Sequence, residues 1–323
     1  MISVVVPLYN EEANVKELYR RLKTALDKSA IRHEILFVDD GSQDNTLGEL
    51  KSILAADTDV RVVKLSRNFG HQPAISAGLE NAGGDAVVVM DGDLQDPPEV
   101  IPLLVEKWKE GNQVAYARRK SRKEGLFKRA GYTFFYRLLR WMGNIKIPAD
   151  SGDFCIMDRK IVNILNTGMT EQLKFIRGLR AYAGFRQVAV DYERDVRASG
   201  KAKYTPRKLI SLAIDGLLDF SVFPLRIATF TGLFISAASF LTGLFFILHR
   251  IVDFKILGHS PTDTPGLASL AVGIFFLGGL ILLMLGIIGE YIGRLYFEVK
   301  KRPSFIIEEI LSQKNNATQN TQN

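Results

Sequence analysis

Cysteine is almost absent from this 323-residue chain, in which Cys155 stands alone. No disulfide framework is available, so packing and hydrogen bonding must hold the fold, as in a reducing compartment. Glycine patterns that cradle phosphate are missing too. No G-x-G-x-x-G follows the first apolar run and no G-x-x-x-x-G-K-[ST] occurs, which removes support for dinucleotide and Walker-type sites. The chain opens directly on a strand-like run, with no secretory signal ahead of it. Acids are slightly outnumbered, 35 against 42 Lys and Arg, for a formal charge of +7. That surplus comes with no recognition helix and no RNA-binding signature, so nucleic acid is not expected as a partner.

Charge itself is missing from two long stretches. Ile227 to Leu248 carries none, and as a helix it would extend about 33 Å, enough for a bilayer core. Pro265 to Gly289 carries none either, and its glycines at 273, 278, 279, 286 and 289 leave flat surface for close helix packing. Two transmembrane helices are expected, at 227–249 and 265–290, joined by a short loop. Arg207, Lys208 and Arg226 precede the first and Arg294, Lys300, Lys301 and Arg302 follow the second, against only Arg250 and Lys255 between them. The positive-inside rule then puts both termini in the cytoplasm and makes the chain a multi-pass protein of the cell membrane. The basic surplus is read as facing anionic headgroups.

Four apolar, β-rich runs fill the first hundred residues: Ser3 to Leu8, Glu34 to Val38, Val60 to Leu65, and Val87 to Met90. Helical spacing separates them, notably over Glu17 to Leu26. This alternation predicts an α/β fold, a doubly wound, mainly parallel sheet whose loops gather along one edge. Three of the four loops carry acids: Asn10-Glu11-Glu12, Asp39-Asp40-Gly41-Ser42 and Asp91-Gly92-Asp93. Asp44 and Thr46 are placed to cap the helix after the second. The last loop is the most informative. Asp91 and Asp93, one residue apart after a buried strand, are oxygen ligands suited to Mg2+ or Mn2+, with Gln95 adding a neutral oxygen and Gly92 allowing a ligand close to the backbone. Phosphate is expected to be held there by metal and arginine, while an acidic loop accepts hydrogen bonds from a base and ribose.

Val4-Val5-Val6-Pro7-Leu8-Tyr9-Asn10-Glu11, Val38-Asp39-Asp40-Gly41-Ser42 and Asp91-Gly92-Asp93-Leu94-Gln95-Asp96-Pro97-Pro98, in that order and spacing, resemble the nucleotide-sugar motifs of the family 2 glycosyltransferases. Within that family the chain is most similar to the polyprenyl-phosphate glycosyltransferases, the bactoprenol glucosyltransferases above all. The resemblance implies a GT-A-type nucleotide-sugar domain over 1–205, a juxtamembrane amphipathic helix over 206–225, the two spans within 226–292, and a cytosolic segment with a disordered tail over 293–323. It implies that Pro7, Tyr9, Glu11 and Asp39 contact the nucleoside, with Asn10, Asp40 and Ser42 belonging to the same motifs. Asp91, Asp93 and Gln95 would hold metal and diphosphate. Arg118 and Arg129, within and just after the basic run ending at Lys123, would contact the acceptor phosphate, and arginine's fork suits that anion. The aromatic helix expected over Tyr132 to Met142 would lie on headgroups or close the core.

Asp153, in Asp150-Ser151-Gly152-Asp153-Phe154, resembles the acceptor-side acid beside the reacting sugar carbon. A general base is the usual role. A phosphomonoester is already largely dianionic above pH ~6, so Asp153 can instead orient the acceptor or stabilise positive charge on the sugar. Arg197 and Lys203 would neutralise diphosphate, although Ala202 departs from the Ser-Lys-Tyr ending of the family's basic motif. The implied partners are a nucleotide diphosphate sugar, a polyprenyl phosphate lipid and a membrane, with a homo-oligomer left open. An aspartate-nucleophile phosphatase fits less well, because Leu94 stands where Thr or Val would follow the second acid. An inactive scaffold would leave the motifs unexplained, and a processive polysaccharide synthase would need Q-x-x-R-W, which is missing.

Overall fold

The computed structural model describes residues 1–28, 31–119, 151–169, 171, 175–192, 223–252 and 267–313. They fall into two compact units, one built on a sheet and one of helices. The sheet unit starts β1 (Ile2–Leu8), α1 (Glu12–Lys28), β2 (His33–Asp39), α2 (Thr46–Ala56), β3 (Val60–Leu65), α3 (His71–Asn81), β4 (Ala86–Val89) and α4 (Ile101–Lys109). β1 and β4 are buried along their whole length, β2 is buried beyond its first two residues, and β3 buries its valines and Leu65 while Arg61 and Lys64 are half-buried. The cycle continues with β5 (Val114–Arg119), β6 (Ser151–Asp158), the short helix Ile176–Tyr182 and β7 (Gln187–Tyr192).

Eight strands lie in the order β7-β5-β6-β4-β1-β2-β3-β8. Pairings β1–β2, β1–β4, β2–β3 and β5–β7 are parallel, while β4–β6, β5–β6 and β3–β8 are antiparallel. The chain runs outward through β2 and β3 and then returns to lay β4 on the other side of β1. Strand order reverses there, so the carboxyl ends of β1 and β4 form the crevice where open α/β sheets place ligands. The loops carrying Tyr9 and Asp91 start from those two ends.

The strand β8 (Ile307–Leu311) was not expected. The sequence reading assigned its residues to a cytosolic C-terminal segment, because Ile-Glu-Glu-Ile-Leu is short and polar in alternation. It pairs antiparallel with β3. Leu311 is buried and Ile307 and Ile310 are half-buried, while Glu308 and Glu309 are exposed. Lys64 Nζ meets Glu308 at 2.8 Å and Ser66 N donates to Ile306 O at 3.0 Å, which covers what would be a bare edge of β3.

Loops at the carboxyl edge are tied to one another by polar side chains. Asn10, at φ 53, sends its N–H to Ser42 Oγ (3.0 Å) and accepts Gln43 N at Oδ1 (2.8 Å). Glu11 N donates to Thr46 Oγ1 at 2.9 Å, and Asp44 Oδ1 accepts from both Thr46 N and Thr46 Oγ1 at 3.0 and 2.5 Å. Gly41 sits at φ 66, and a Cβ on it would stand 2.5 Å from the Arg67 carbonyl carbon. Only glycine lets the β2–α2 loop pass the β3–α3 loop so closely.

In the helical unit, a 30-residue helix (Phe223–Val252) and a 34-residue helix (Leu267–Lys300) cover the two stretches expected to span a membrane. Among the described residues one helical stretch, Phe276–Lys300, is long and apolar enough to cross a membrane. Among the described residues Ala228–Leu241 is a shorter apolar stretch of the first helix, so one of the two expected spans is supported there. The second helix also runs on past 290 through Glu290, Arg294 and Glu298, whose spacing of four supports helix beyond the apolar stretch. Large apolar side chains stand exposed on both helices, among them Phe234 at 74 % and Leu282 at 70 %. The expected helices over 132–142 and 206–220 lie outside the described residues.

Leu311→Ala is expected to lower the unfolding free energy by about 2 kcal/mol, read from the urea midpoint of detergent-solubilised protein. Gly41→Ala combines a left-handed backbone with a backbone clash. It should cost about 1–3 kcal/mol and depress the melting midpoint, whereas Gly111→Ala, where a Cβ meets nothing within 4 Å, tests the positive φ alone.

Candidate active site

Acids converge at the carboxyl edge from β2, β4 and β6. Asp39 and Asp40 end β2 at 1 % and 3 % exposure. Asp39 Oδ1 accepts from Ser42 N at 3.1 Å. Asp40 commits both oxygens to backbone, taking Phe69 N at 2.7 Å and Gly70 N at 2.9 Å. Burial pushes its carboxyl above the ordinary value in spite of those two donors. Asp40 therefore clamps the β3–α3 loop onto β2. Pro7 is buried within β1, Tyr9 is half-buried just after it, and Glu11 Oε2 accepts from Asn14 Nδ2 at 2.6 Å at the start of α1.

After β4 the chain turns sharply. Met90 N still bonds Val5 O at 3.2 Å, and Leu94 then takes φ 60 with its side chain buried. A bulky residue in the left-handed region costs about 1–2 kcal/mol, here offset by apolar burial, and such outliers gather at functional loops. The turn lets Asp93 Oδ1 accept from Gln95 N at 3.2 Å. Gly92 has a different reason than ligand approach. A Cβ there would stand 2.2 Å from Leu8 Cδ2 and 3.1 Å from Pro7 O, so the glycine lets this loop pack on the end of β1.

His71, the first residue of α3, carries no role in the sequence reading, yet it links the two halves of the site. Its Nε2 lies 3.3 Å from Asp91 Oδ1 and 3.6 Å from Asp153 Oδ2. Burial works against its charge, but hydrogen bonds to Asp153 and Asp91 prevail and push its pKa up to about 10. Gln72 Nε2 donates to Asp153 Oδ2 at 3.2 Å while its Oε1 accepts Ile176 N at 3.0 Å. Arg177 approaches Asp153 Oδ1 at 3.4 Å. Burial alone would raise the Asp153 carboxyl, but Arg177 and His71 outweigh it and hold it well below the usual carboxylate range. A carboxylate so held is a poor proton acceptor.

Arg118 lies on the strand next to β6, opposite Ser151. Arg118, on β5, binds Asp191 of β7 through Nε at 2.6 Å and Nη2 at 3.0 Å. Arg129, Arg197, Lys203 and Asp150 lie outside the described residues. His71, Gln72, Arg177 and Arg180 were missed, and the available signals were faint. A histidine opening a helix and arginines three apart in Ile176-Arg177-Gly178-Leu179-Arg180 are commonplace until the fold sets them around Asp153.

The donor set fits a hard divalent cation. Asp91 Oδ1 is buried and meets His71 Nε2 at 3.3 Å, longer than a tight ion pair, and Asp93 and Gln95 follow it in the same turn. Among the described residues no three His, Cys, Asp or Glu side chains assemble a metal cage. Two carboxylates and an amide suit Mg2+ or Mn2+, which take their remaining ligands from water and substrate phosphate.

The profile of glycosyl transferase family 2 matches residues 3–165. An uncharacterized glycosyltransferase of Bacillus subtilis is 45 % identical over 95 % of this chain and 93 % of its own. The SfII prophage-derived bactoprenol glucosyl transferase of Shigella flexneri is 40 % identical over 95 % of this chain and 97 % of its own. Among solved structures, glucosyl-3-phosphoglycerate synthase from Mycobacterium tuberculosis, crystallised with Mn2+ and uridine-diphosphate-glucose, matches at TM-score 0.44 and 19 % identity, covering 68 % of this chain and 77 % of that one. With the family profile spanning half its length and such relatives matching nearly all of it, the chain belongs to glycosyl transferase family 2 and is a glycosyltransferase.

Proposed function

We propose that this glycosyltransferase moves a hexose from a nucleoside diphosphate sugar to a polyprenyl phosphate, with inversion, at the cytoplasmic face of the cell membrane. Glucose and uridine diphosphate are the default donor parts. The observation that carries the reading is the Asp91-Gly92-Asp93 turn at the strand-order reversal, where two carboxylates stand one residue apart just after β4. The acceptor class comes from relatives named bactoprenol glucosyl transferases that align along 95 % of the chain. Membrane attachment is supported by the apolar stretch in Phe276–Lys300, with the first helix as a second span and both termini cytoplasmic.

Pro7 and Tyr9 would border the base, with Asp39 Oδ2 accepting from it, since Ser42 N engages Oδ1. Asn10, Glu11, Asp40 and Ser42 would act by holding those loops in register. Asp91, Asp93 and Gln95 would hold Mg2+ or Mn2+, which, bound there, offsets charge on the leaving diphosphate. Arg197 and Lys203 are assigned to the same charge, and Arg118 and Arg129 to the acceptor side. In the transfer, a phosphate oxygen of the acceptor forms a bond to the anomeric carbon. The bond from that carbon to the diphosphate oxygen breaks, and its electron pair leaves with the nucleoside diphosphate. The acceptor is already dianionic, so no proton need be removed.

Purified protein given undecaprenyl phosphate, Mn2+ and a panel of nucleotide sugars should yield a glycolipid visible by mass spectrometry. Asp93→Ala should reduce turnover by at least about 10²-fold with an unchanged melting midpoint, and chelation of the metal should stop transfer reversibly. Turnover retained by Asp93→Ala would end the assignment. Below pH ~6 the acceptor gains a proton, so kcat/KM should fall about tenfold per pH unit. A flat profile from pH 5 to 7 would count against attack by the dianion.

A further inference from the structure

Among the described residues, donors fill the acceptor sites of Asp153: His71 and Gln72 meet Oδ2, and Nε and Nη2 of Arg177 meet Oδ1. Asp153 is 10 % exposed on its side chain, and His71, Gln72 and Arg177 all point at it. Behind it Arg180 is 1 % exposed, and its Nε and Nη2 are buried without a hydrogen-bond partner. The Arg180 guanidinium lies 5.3 Å from the Tyr116 ring centroid, which meets its face and leaves those N–H groups unanswered.

The contacts are also long. Charge-assisted N–H···O bonds close to about 2.7–2.9 Å, and the protein's exposed pairs do so. Arg21 reaches Glu99 at 2.9 and 2.7 Å and Arg20 reaches Glu17 at 2.7 and 2.6 Å. Around the more buried Asp153 the distances are 3.2 Å for Gln72, 3.4 Å for Arg177 and 3.6 Å for His71. Burial of charge is compensated only by tight geometry and full hydrogen bonding. The loose contacts at Asp153 and the unpartnered Arg180 N–H groups beside it suit an anion with several oxygens.

We propose that His71 and Arg177, with Arg180 behind them, form the seat of a phosphomonoester, the head of the lipid acceptor, and that Asp153 orients these donors until the phosphate takes them over. This assignment rests on the polyprenyl-phosphate reading above. Three terminal oxygens answer the fork of Arg177, the imidazole N–H of His71 and the unpartnered edge of Arg180. A donor diphosphate offers similar oxygens, but a divalent cation at Asp91, Asp93 and Gln95 already meets its charge. The attacking phosphate brings two charges and no cation of its own. Arg118, bound at two points to Asp191, is less available for it. His71, touching Asp91 and Asp153 at once, sets the seat beside the donor's phosphates. Asp153 is then a positioning residue.

Steady-state kinetics with undecaprenyl phosphate and nucleotide sugar varied separately tests the seat, on Arg177→Gln, Arg177→Lys and Asp153→Asn with melting midpoints compared. Arg177→Gln should raise KM for the lipid phosphate at least about tenfold and leave KM for the nucleotide sugar within about twofold. Arg177→Lys should recover part of the loss, and it carries the test if Arg177→Gln melts early. Asp153→Asn should raise the lipid KM while kcat stays within about tenfold. A rise in the nucleotide-sugar KM alone would give the seat to the donor and overturn the proposal, as would an unchanged lipid KM. A fall in kcat of about 10²–10⁴-fold in Asp153→Asn at constant lipid KM would make it a general base, with the same consequence. If the wild type makes no glycolipid, the polyprenyl-phosphate reading fails first. Calorimetric binding of prenyl monophosphate then decides the seat, upheld by tenfold weakening in Arg177→Gln and overturned by equal affinity.

Discussion

Keeping several carboxylates charged at the dry edge of a sheet is the constraint on which this structure turns. A buried carboxylate costs several kcal/mol unless hydrogen bonds or opposite charge compensate it. Each acid brought to this edge by β2, β4 and β6 meets that cost differently. Asp40 takes two backbone N–H groups and so fixes the next loop. Asp39 takes one from its own turn. Asp153 draws in His71, Gln72 and Arg177 from two other helices. Asp91 meets His71 through its buried Oδ1 at 3.3 Å, longer than a tight ion pair. Compensation completed within the protein builds scaffold, and compensation left incomplete marks where ligands belong.

Topology decides where that incompleteness falls. Because β4 returns to the far side of β1, the loops after them diverge and leave a crevice. The antiparallel β6 then carries Asp153 to the same edge beside β4, where Cys155 pairs with Val89. Donor-side and acceptor-side acids thus come from neighbouring strands of opposite direction, and His71 spans the gap between them. Rigid strands hold these groups more precisely than loops alone would.

The half of the sheet built from β1 to β4 was legible because parallel strands buried on both faces read as continuous apolar runs. Val60–Leu65 matched to the residue. The strands β5 to β7 were not read, since Val-Ala-Tyr-Ala-Arg-Arg and Ser-Gly-Asp-Phe-Cys-Ile-Met-Asp mix charge into short runs and draw attention as basic and acidic clusters. The strand β8 hid in a polar tail because an edge strand buries only one face. The acids of the site were legible as motifs, but their division of labour was not. Asp40 and Asp39 are adjacent in sequence and identical in chemistry, and only the approach of Phe69 and Gly70 separates clamp from candidate ligand. His71 and Arg177 could not be joined to Asp153 without tertiary structure, and Gly92 reads as ligand access until Leu8 is seen against it. Two long uncharged stretches led to two expected spans, whereas the helices present one apolar stretch of sufficient length among the described residues.

Under the proposed function, Asp91, Asp93 and Gln95 would hold a divalent cation that offsets the charge of a diphosphate donor seated against Pro7, Tyr9 and Asp39. Anomalous diffraction at the manganese edge, from crystals grown with Mn2+ and uridine diphosphate, addresses this most directly. One strong peak within bonding distance of Asp91 or Asp93 and of a diphosphate oxygen is the expected result. A nucleotide bound with no peak there, or a peak at another set of residues, would contradict it.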